Sequence, residues 1–327
     1  KDMKREVKFS LVFRDMWQSA GKYVPRVDQL VKVAPAIIEM GCFARVETNG
    51  GGFEQVNLLF GENPNRAVRE WTKPFHEAGI QTHMLDRALN GLRMSPVPAD
   101  VRKLFYKVKH AQGTDITRTF CGLNDVRNII PSIGYAHEAG MISQCSLCIT
   151  FSPVHTVEYY VNMAKLLIEA GADEICIKDM AGLLVPQEAT KLVEALKEAT
   201  SLPIDLHTHY TSGVASMTYM KAVEAGVDMI DTAISPFALG TSQPATEVMV
   251  ETFKGSEYDT GLDMELLGEI ADYFRPIRED AIDTGLLNPR ALGVNIKTLM
   301  YQVPGGMLSN LLSQLEEQKA SDKYYEV

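Results

Sequence analysis

The chain has 327 residues, long enough for an α/β barrel of about 250 residues plus an added segment. Hydrophobic residues make up 46% and charged residues 23%, and the formal net charge of -10 comes with no Lys/Arg-rich run. That balance argues against nucleic acid or an anionic membrane as partner, so an anionic small substrate would be held by local positive groups.

No stretch approaches the roughly 18 continuous apolar residues of a membrane span, and the N-terminus has no apolar signal region. A soluble, cytoplasmic chain is expected. Five cysteines stand at 42, 121, 145, 148 and 176, an odd count set mostly in apolar, strand-like runs, which reads as reduced core thiols. Cys145 and Cys148 have CxxC spacing, but no second pair completes a zinc site, and core packing is the expectation.

Short apolar, β-branched runs recur along the chain at Lys8 to Arg14, Phe43 to Thr48, Gln81 to Leu85, Ile116 to Cys121, Ser143 to Thr150, Glu174 to Ile177, Ile204 to His209 and Met229 to Ile234. Between them lie segments with helical spacing, such as Val27, Leu30, Val31, Ala34, Ile37 and Ile38, or Tyr159, Met163, Leu166, Leu167 and Ala170. Several end alike, at Gly41, Gly79, Gly140, Gly171 and Gly226, where glycine accepts the left-handed conformation that stops a helix. Strand then helix, repeated eight times with a glycine stop after several of the helices, predicts an α/β fold of the (β/α)8 TIM-barrel type over residues 1–255.

Beyond it, residues 256–327 are expected to form a helical appendage packed on the barrel. Met264 to Asp283 reads as one long helix, Pro289 to Gln302 is mixed, and Pro304-Gly-Gly306 opens an amphipathic stretch from Met307 to about Lys319. The polar end from Glu316 to Val327 is expected to fray.

Active sites of this fold lie at the C-terminal ends of the strands. Polar and ionisable residues collect there: Phe13-Arg-Asp-Met-Trp-Gln-Ser19 after the first strand, Lys178-Asp179 on the sixth, His207-Thr-His209 on the seventh. Lys178 ends an otherwise apolar strand, and a buried ammonium is normally paired, neutralised or used. His207 and His209 stand at i and i+2, so both imidazoles project to one face, and Asp15 would enter the same mouth. Asp, His, His is a donor set for a divalent ion, against the plainer alternative of packed histidines. A nearby cation would favour Lys178 as a carbamate, an anionic fourth ligand.

These stretches, with Leu123-Asn-Asp-Val-Arg-Asn128, Ser152-Pro-Val-His-Thr-Val157, Cys176 to Leu184, Asp231-Thr-Ala-Ile-Ser235, Gly240-Thr-Ser-Gln-Pro244 and Pro304-Gly-Gly-Met307, resemble the biotin-dependent carboxyltransferase domain. That family is shared by pyruvate carboxylase, the oxaloacetate decarboxylase alpha subunit and the keto-acid subunit of transcarboxylase. The resemblance implies a zinc, manganese or cobalt ion bound by Asp15, carbamylated Lys178, His207 and His209. It implies pyruvate or oxaloacetate as keto acid, with Gln18 and Arg87 binding it and Thr241 shuttling a proton to and from biotin. It also implies a biotin carboxyl carrier protein or domain as partner, a homodimer, and, in the decarboxylase branch, association with a membrane pump subunit.

Departures from the family pattern cluster near the substrate. Trp17 stands where a histidine is usual, Thr48 where a tryptophan is usual, and Met84-Leu-Asp-Arg-Ala-Leu-Asn90 is altered around Arg87. Plain readings are that Trp17 caps the core and that Asp86 and Arg87 form a local ion pair. No Met-Lys-Met biotinylation motif occurs, so biotin is expected on another chain or segment. Two alternatives stand beside this one. A Claisen or aldol enzyme of a related barrel would share the Asp and HxH ligands, though Lys178 and Gly240 to Pro244 argue against it. A degenerate scaffold of a biotin complex would fold without turnover.

Overall fold

The computed structural model describes residues 6–20, 24–41 and 43–326, the side chain of Tyr325 aside. Eight parallel strands close into a barrel in sequence order. They are β1 (Lys8–Leu11), β2 (Phe43–Gly50), β3 (Gln81–Asp86), β4 (Ile116–Thr119), β5 (Ile142–Cys148), β6 (Glu174–Asp179), β7 (Ile204–Thr208) and β8 (Met229–Thr232). The closure is β1 on β8, with Phe9 beside Ile230 and Leu11 beside Thr232.

Helices follow in chain order: α1 (Phe13–Ala20), α2 (Val27–Leu30), α3 (Ala34–Met40), α4 (Phe53–Leu59), α5 (Pro64–Glu77), α6 (Ala99–Ala111) and α7 (Val126–Glu138). Then come α8 (Val157–Glu169), α9 (Pro186–Ala199), α10 (Ala215–Ala225), α11 (Thr246–Phe253), α12 (Met264–Asp283), α13 (Thr298–Tyr301) and α14 (Gly305–Glu317). The five glycine stops all have positive φ, from 63° at Gly41 to 120° at Gly226.

Three expectations need correction. The first strand ends at Leu11, not Arg14, because Phe13, Met16, Trp17 and Ala20 have helical spacing and turn α1 onto the core. The run from Val27 is two helices, because Pro35 lacks the N–H to continue one and instead sits in the first turn of α3. The polar tail does not simply fray: a 3-10 turn spans Ser321–Tyr325, and the Ser321 carbonyl accepts from Arg290 Nη1 at 2.8 Å.

Trp17 caps the core as expected, its ring within 6.4 Å of Phe13, Trp71 and Phe274 centroid to centroid. Of the cysteines, Cys121, Cys145, Cys148 and Cys176 are free thiols and the last three are buried; Cys42 lies outside the described residues.

The lumen is unusual for this fold, whose inward positions are mostly Val, Ile and Leu. Arg45 on β2 reaches across to Glu174 on β6 at 2.5 Å. From β4, Arg118 meets Asp205 on β7 at 2.7 Å and Asp231 on β8. Gln144 links Glu174 and Asp205. The ion pairs join strands that are not neighbours, so they span the lumen beneath the mouth and form a charged floor for whatever lies above.

At the opposite end an acidic clamp repeats. Asp115, Asp173 and Asp228 each accept a backbone N–H at the start of β3, β5 or β7, while pairing with His76, His137 or Lys197. Repeated geometry at that end serves stability and leaves the mouth for chemistry.

Candidate metal centre and carboxyl-transfer site

Asp15, His207 and His209 come together at the mouth, all buried, each offering one ligand atom. Asp15 Oδ2 lies 3.1 Å from His207 Nε2 and 3.3 Å from His209 Nε2, and the two Nε2 atoms are 3.2 Å apart. Asp15 arrives from the first turn of α1, not from a strand end. The helix divides its residues: Phe13, Met16 and Trp17 pack inward while Arg14, Asp15 and Gln18 face the mouth.

Each imidazole is held by its other nitrogen. His207 Nδ1 lies 2.7 Å from Asp231 and His209 Nδ1 lies 2.6 Å from the Thr241 carbonyl. Both acceptors oblige Nδ1 to carry the proton, which turns two Nε2 lone pairs toward Asp15, the arrangement a metal ligand needs. Burial alone would raise the Asp15 carboxyl, but Arg14, with an ion pair at 2.9 Å, and His209 hold it well below the usual range. Burial, then the Lys178 charge, lowers His207 and keeps it neutral. One ionised carboxylate, a neutral His207 imidazole and the Nε2 of His209, with converging atoms, make a donor set that fits a divalent ion.

Lys178 sits on β6 in register with His207. It is 2% exposed, its Nζ is 5.5 Å from the Phe120 ring centroid, and among the described residues that Nζ has no hydrogen-bond or ion-pair partner. A buried amine left without a partner is costly as a cation.

Gln18 Oε1 accepts from Arg14 Nη1 at 2.5 Å, leaving its amide N–H₂ without a partner among the described residues. Arg87 Nη1 donates to the Leu92 carbonyl at 2.9 Å and to Gln55 at 3.3 Å, and no described carboxylate pairs with it. The expected ion pair with Asp86 is absent: Asp86 points outward from β3 and accepts from Tyr106 and Thr119. Instead the Arg87 guanidinium lies over Gly51, where a Cβ would stand 3.1 Å from its Nε and Cζ. Thr241 is 2% exposed and its hydroxyl donates to the Ser19 carbonyl.

Several site residues carried no assigned role in the sequence. Glu47 on β2 accepts from Arg14 Nη2 at 3.0 Å and from the Asp15 N–H at 3.1 Å, and Gln243 donates to Asp15. Asp231 orients His207, and Arg118 braces Asp231. The available signal was that Glu47, Arg118 and Asp231 are charged residues inside otherwise strand-like runs.

The HMGL-like family model matches residues 123–273. A pyruvate carboxylase subunit of Methanocaldococcus jannaschii is 47% identical over 315 residues, 96% of this chain and 55% of that protein. The methylmalonyl-CoA carboxyltransferase 5S subunit of Propionibacterium freudenreichii subsp. shermanii is 38% identical over 326 residues, 97% of this chain and 62% of that one. Among solved structures, the carboxyl transferase domain of Rhizobium etli pyruvate carboxylase with pyruvate and biocytin superposes with a TM-score of 0.92 at 31% identity, covering 99% of this chain and 55% of that one. The chain thus spans about half the length of the archaeal pyruvate carboxylase subunits it matches. Motifs from the first strand to Pro304-Gly-Gly306, a closed barrel of the same shape and relatives over nearly its whole length agree, and the chain belongs to the biotin-dependent carboxyltransferase domain family.

Proposed function

We propose that the chain is the carboxyltransferase unit of a biotin-dependent carboxylase or decarboxylase, moving a carboxyl group between biotin and a keto acid of the pyruvate/oxaloacetate pair. The observation that carries this reading is the convergence of Asp15, His207 and His209 beside an unpaired Lys178. A zinc, manganese or cobalt ion would be held by those four, Lys178 as a carbamate, and when bound it supplies Lewis-acid stabilisation of the enolate charge of the keto acid.

The chain's own groups do the rest. Arg87 Nε and Nη2, which have no partner among the described residues, would grip a substrate carboxylate side-on, a geometry suited to a guanidinium. Gln18 turns its free amide N–H₂ toward the keto acid. In the decarboxylation direction the carboxyl carbon leaves the methylene carbon of oxaloacetate for N1 of biotin. Thr241 gives its proton to that methylene carbon and takes one from N1, ending as it began. To do so the hydroxyl must first turn from the Ser19 carbonyl. The reverse direction uses the same groups.

The biotin carrier is a separate chain or segment in this reading. A homodimer and, in a decarboxylase, a membrane pump subunit belong to it through the family resemblance. Among the described residues no helix is long and apolar enough to cross a membrane, and the four described free thiols suit a cytoplasmic setting.

The test is metal content together with oxaloacetate decarboxylation in the presence of free biotin, for the native chain, Lys178→Ala and Thr241→Ala. Turnover stimulated by biotin and lost in both variants supports the reading. Bound metal with no response to biotin or oxaloacetate would favour the related lyase chemistry.

A further inference from the structure

Residues 289–305 run across the mouth as a strap tied to the loops after four consecutive strands. Gln302 accepts from Thr150 Oγ1 at 2.6 Å and from the Phe151 N–H at 2.9 Å, after β5. The Gly305 N–H donates to the Met180 carbonyl at 2.7 Å, after β6. The Asn295 N–H donates to the Thr211 carbonyl at 2.8 Å, after β7, and the Ala291 carbonyl accepts from the Thr241 N–H at 2.9 Å, after β8. The strap ends at the first turn of α14, against the ligand cluster itself.

Gly305 has no room for a side chain there. A Cβ on it would stand 2.6 Å from the Thr241 carbonyl oxygen, 2.9 Å from His209 Nδ1 and 3.2 Å from Thr211 Oγ1. The first two atoms are the acceptor and donor of the hydrogen bond that fixes the His209 ring. Thr211 Oγ1 is itself buried, with no hydrogen-bond partner among the described residues. Gly306, one residue on and in the same helix, faces open space, with nothing within 4 Å of a Cβ. Both have helical backbone, so the difference between them is contact and not conformation.

We propose that Gly305 is a positioning residue for His209 and Thr241, and that the strap, not the barrel alone, sets the geometry of the candidate metal centre. The role deepens the carboxyltransferase reading and rests on it for the metal, but the His209 hydrogen bond can be followed without one.

The experiment compares the full chain with Gly305→Ala and Gly306→Ala. In metal-free protein the His209 Nδ1 proton is followed by imidazole ¹⁵N–¹H NMR, assigned with His209→Gln. It should be kept in the native chain and Gly306→Ala and be lost or displaced in Gly305→Ala. Cobalt affinity, by calorimetric titration, should fall at least about tenfold in Gly305→Ala, the usual consequence of disturbing a group that orients a ligand, and stay unchanged in Gly306→Ala. An unmoved His209 signal in Gly305→Ala, or equal losses of affinity in the two variants, would overturn the proposal. A native chain that takes up no cobalt would instead sink the metal reading, leaving the NMR result to decide the positioning role. If Gly305→Ala fails to fold, Gln302→Ala, which unties the strap at its β5 end, must shift the same His209 signal, and an unshifted signal overturns the role.

Discussion

His207 Nδ1 lies 2.7 Å from Asp231 Oδ2, and Arg118 grips both oxygens of that carboxylate, Nη1 on the same Oδ2 and Nη2 on Oδ1 at 3.3 Å. Burial alone would raise the Asp231 carboxyl, but Arg118 and His207 hold it well below the usual range, so it is ionised and only accepts. The His207 tautomer follows, with its proton on Nδ1 and its lone pair at the cluster. Replacing Asp231→Asn should therefore weaken metal affinity by roughly 10–100-fold, the range seen when a partner behind a ligating histidine is removed. A competition titration against a chromophoric chelator measures it. Affinity equal to that of the native chain would mean that packing alone orients His207.

The contrast between His207 and Asp231 shows what the sequence could reveal. His207, His209 and Lys178 were legible because each is an ionisable residue at the C-terminal end of an apolar run, and the period of a strand says which face it takes. Asp15 was legible as a residue of the mouth but not as part of a helix, since Phe13-Arg14 continues the apolar run that precedes it. Arg118 and Asp231 are 113 residues apart; their pairing depends on which strands face each other across the lumen, which no local period encodes. Gly305 was visible as a helix start, but its contact with His209 exists only once the strap has crossed the mouth.

Asp86 gives the chain a pH dependence that can be measured away from the metal. Its carboxyl is fully buried between β3 and α6, and burial pushes it up to about 6, against the opposing hydrogen bond from Tyr106. The unfolded carboxyl titrates near 4. Between about pH 4 and 6 the folded chain therefore binds a proton that the unfolded chain has lost, and stability falls as pH rises through this window. Asp86→Asn, which keeps an acceptor for Tyr106, should remove that slope and leave the variant up to about 3 kcal/mol better off at pH 7 relative to pH 4 than the native chain. Urea denaturation at several pH values compares the two slopes. Parallel curves would show that the carboxyl ionises freely in the folded state.

Gly52 should be irreplaceable for the substrate. It precedes α4 with φ +97°, and a Cβ there would run into the Gln18 carboxamide. Gly52→Ala should lose about 1–3 kcal/mol of stability from the backbone alone. It should also raise KM for the keto acid by displacing Gln18. Gly79→Ala supplies the control, because Gly79 has φ +76° with nothing within 4 Å. That variant should share the stability loss and keep the native KM. Equal KM values in all three chains would remove Gln18 from the substrate site.

Phe274 decides whether residues 256–327 are separable from the barrel. It projects from α12 into a cluster with Phe13 and Trp17 of α1 and with Phe237, at centroid distances of 6.0, 6.0 and 5.9 Å. Phe13 and Trp17 are the buried face of the helix that carries Asp15 and Gln18 on its other side. Truncating Phe274→Ala should cost about 3–5 kcal/mol, the range for a fully buried aromatic. Because α1 carries the barrel end of this cluster, the loss should appear in one cooperative urea transition that also weakens metal binding. Phe274→Leu, which keeps most of the volume, should cost less and preserve the metal. Two separate transitions in the native chain, with only the minor one moved by Phe274→Ala, would show instead that the C-terminal segment folds by itself and that α1 holds Asp15 in place without it.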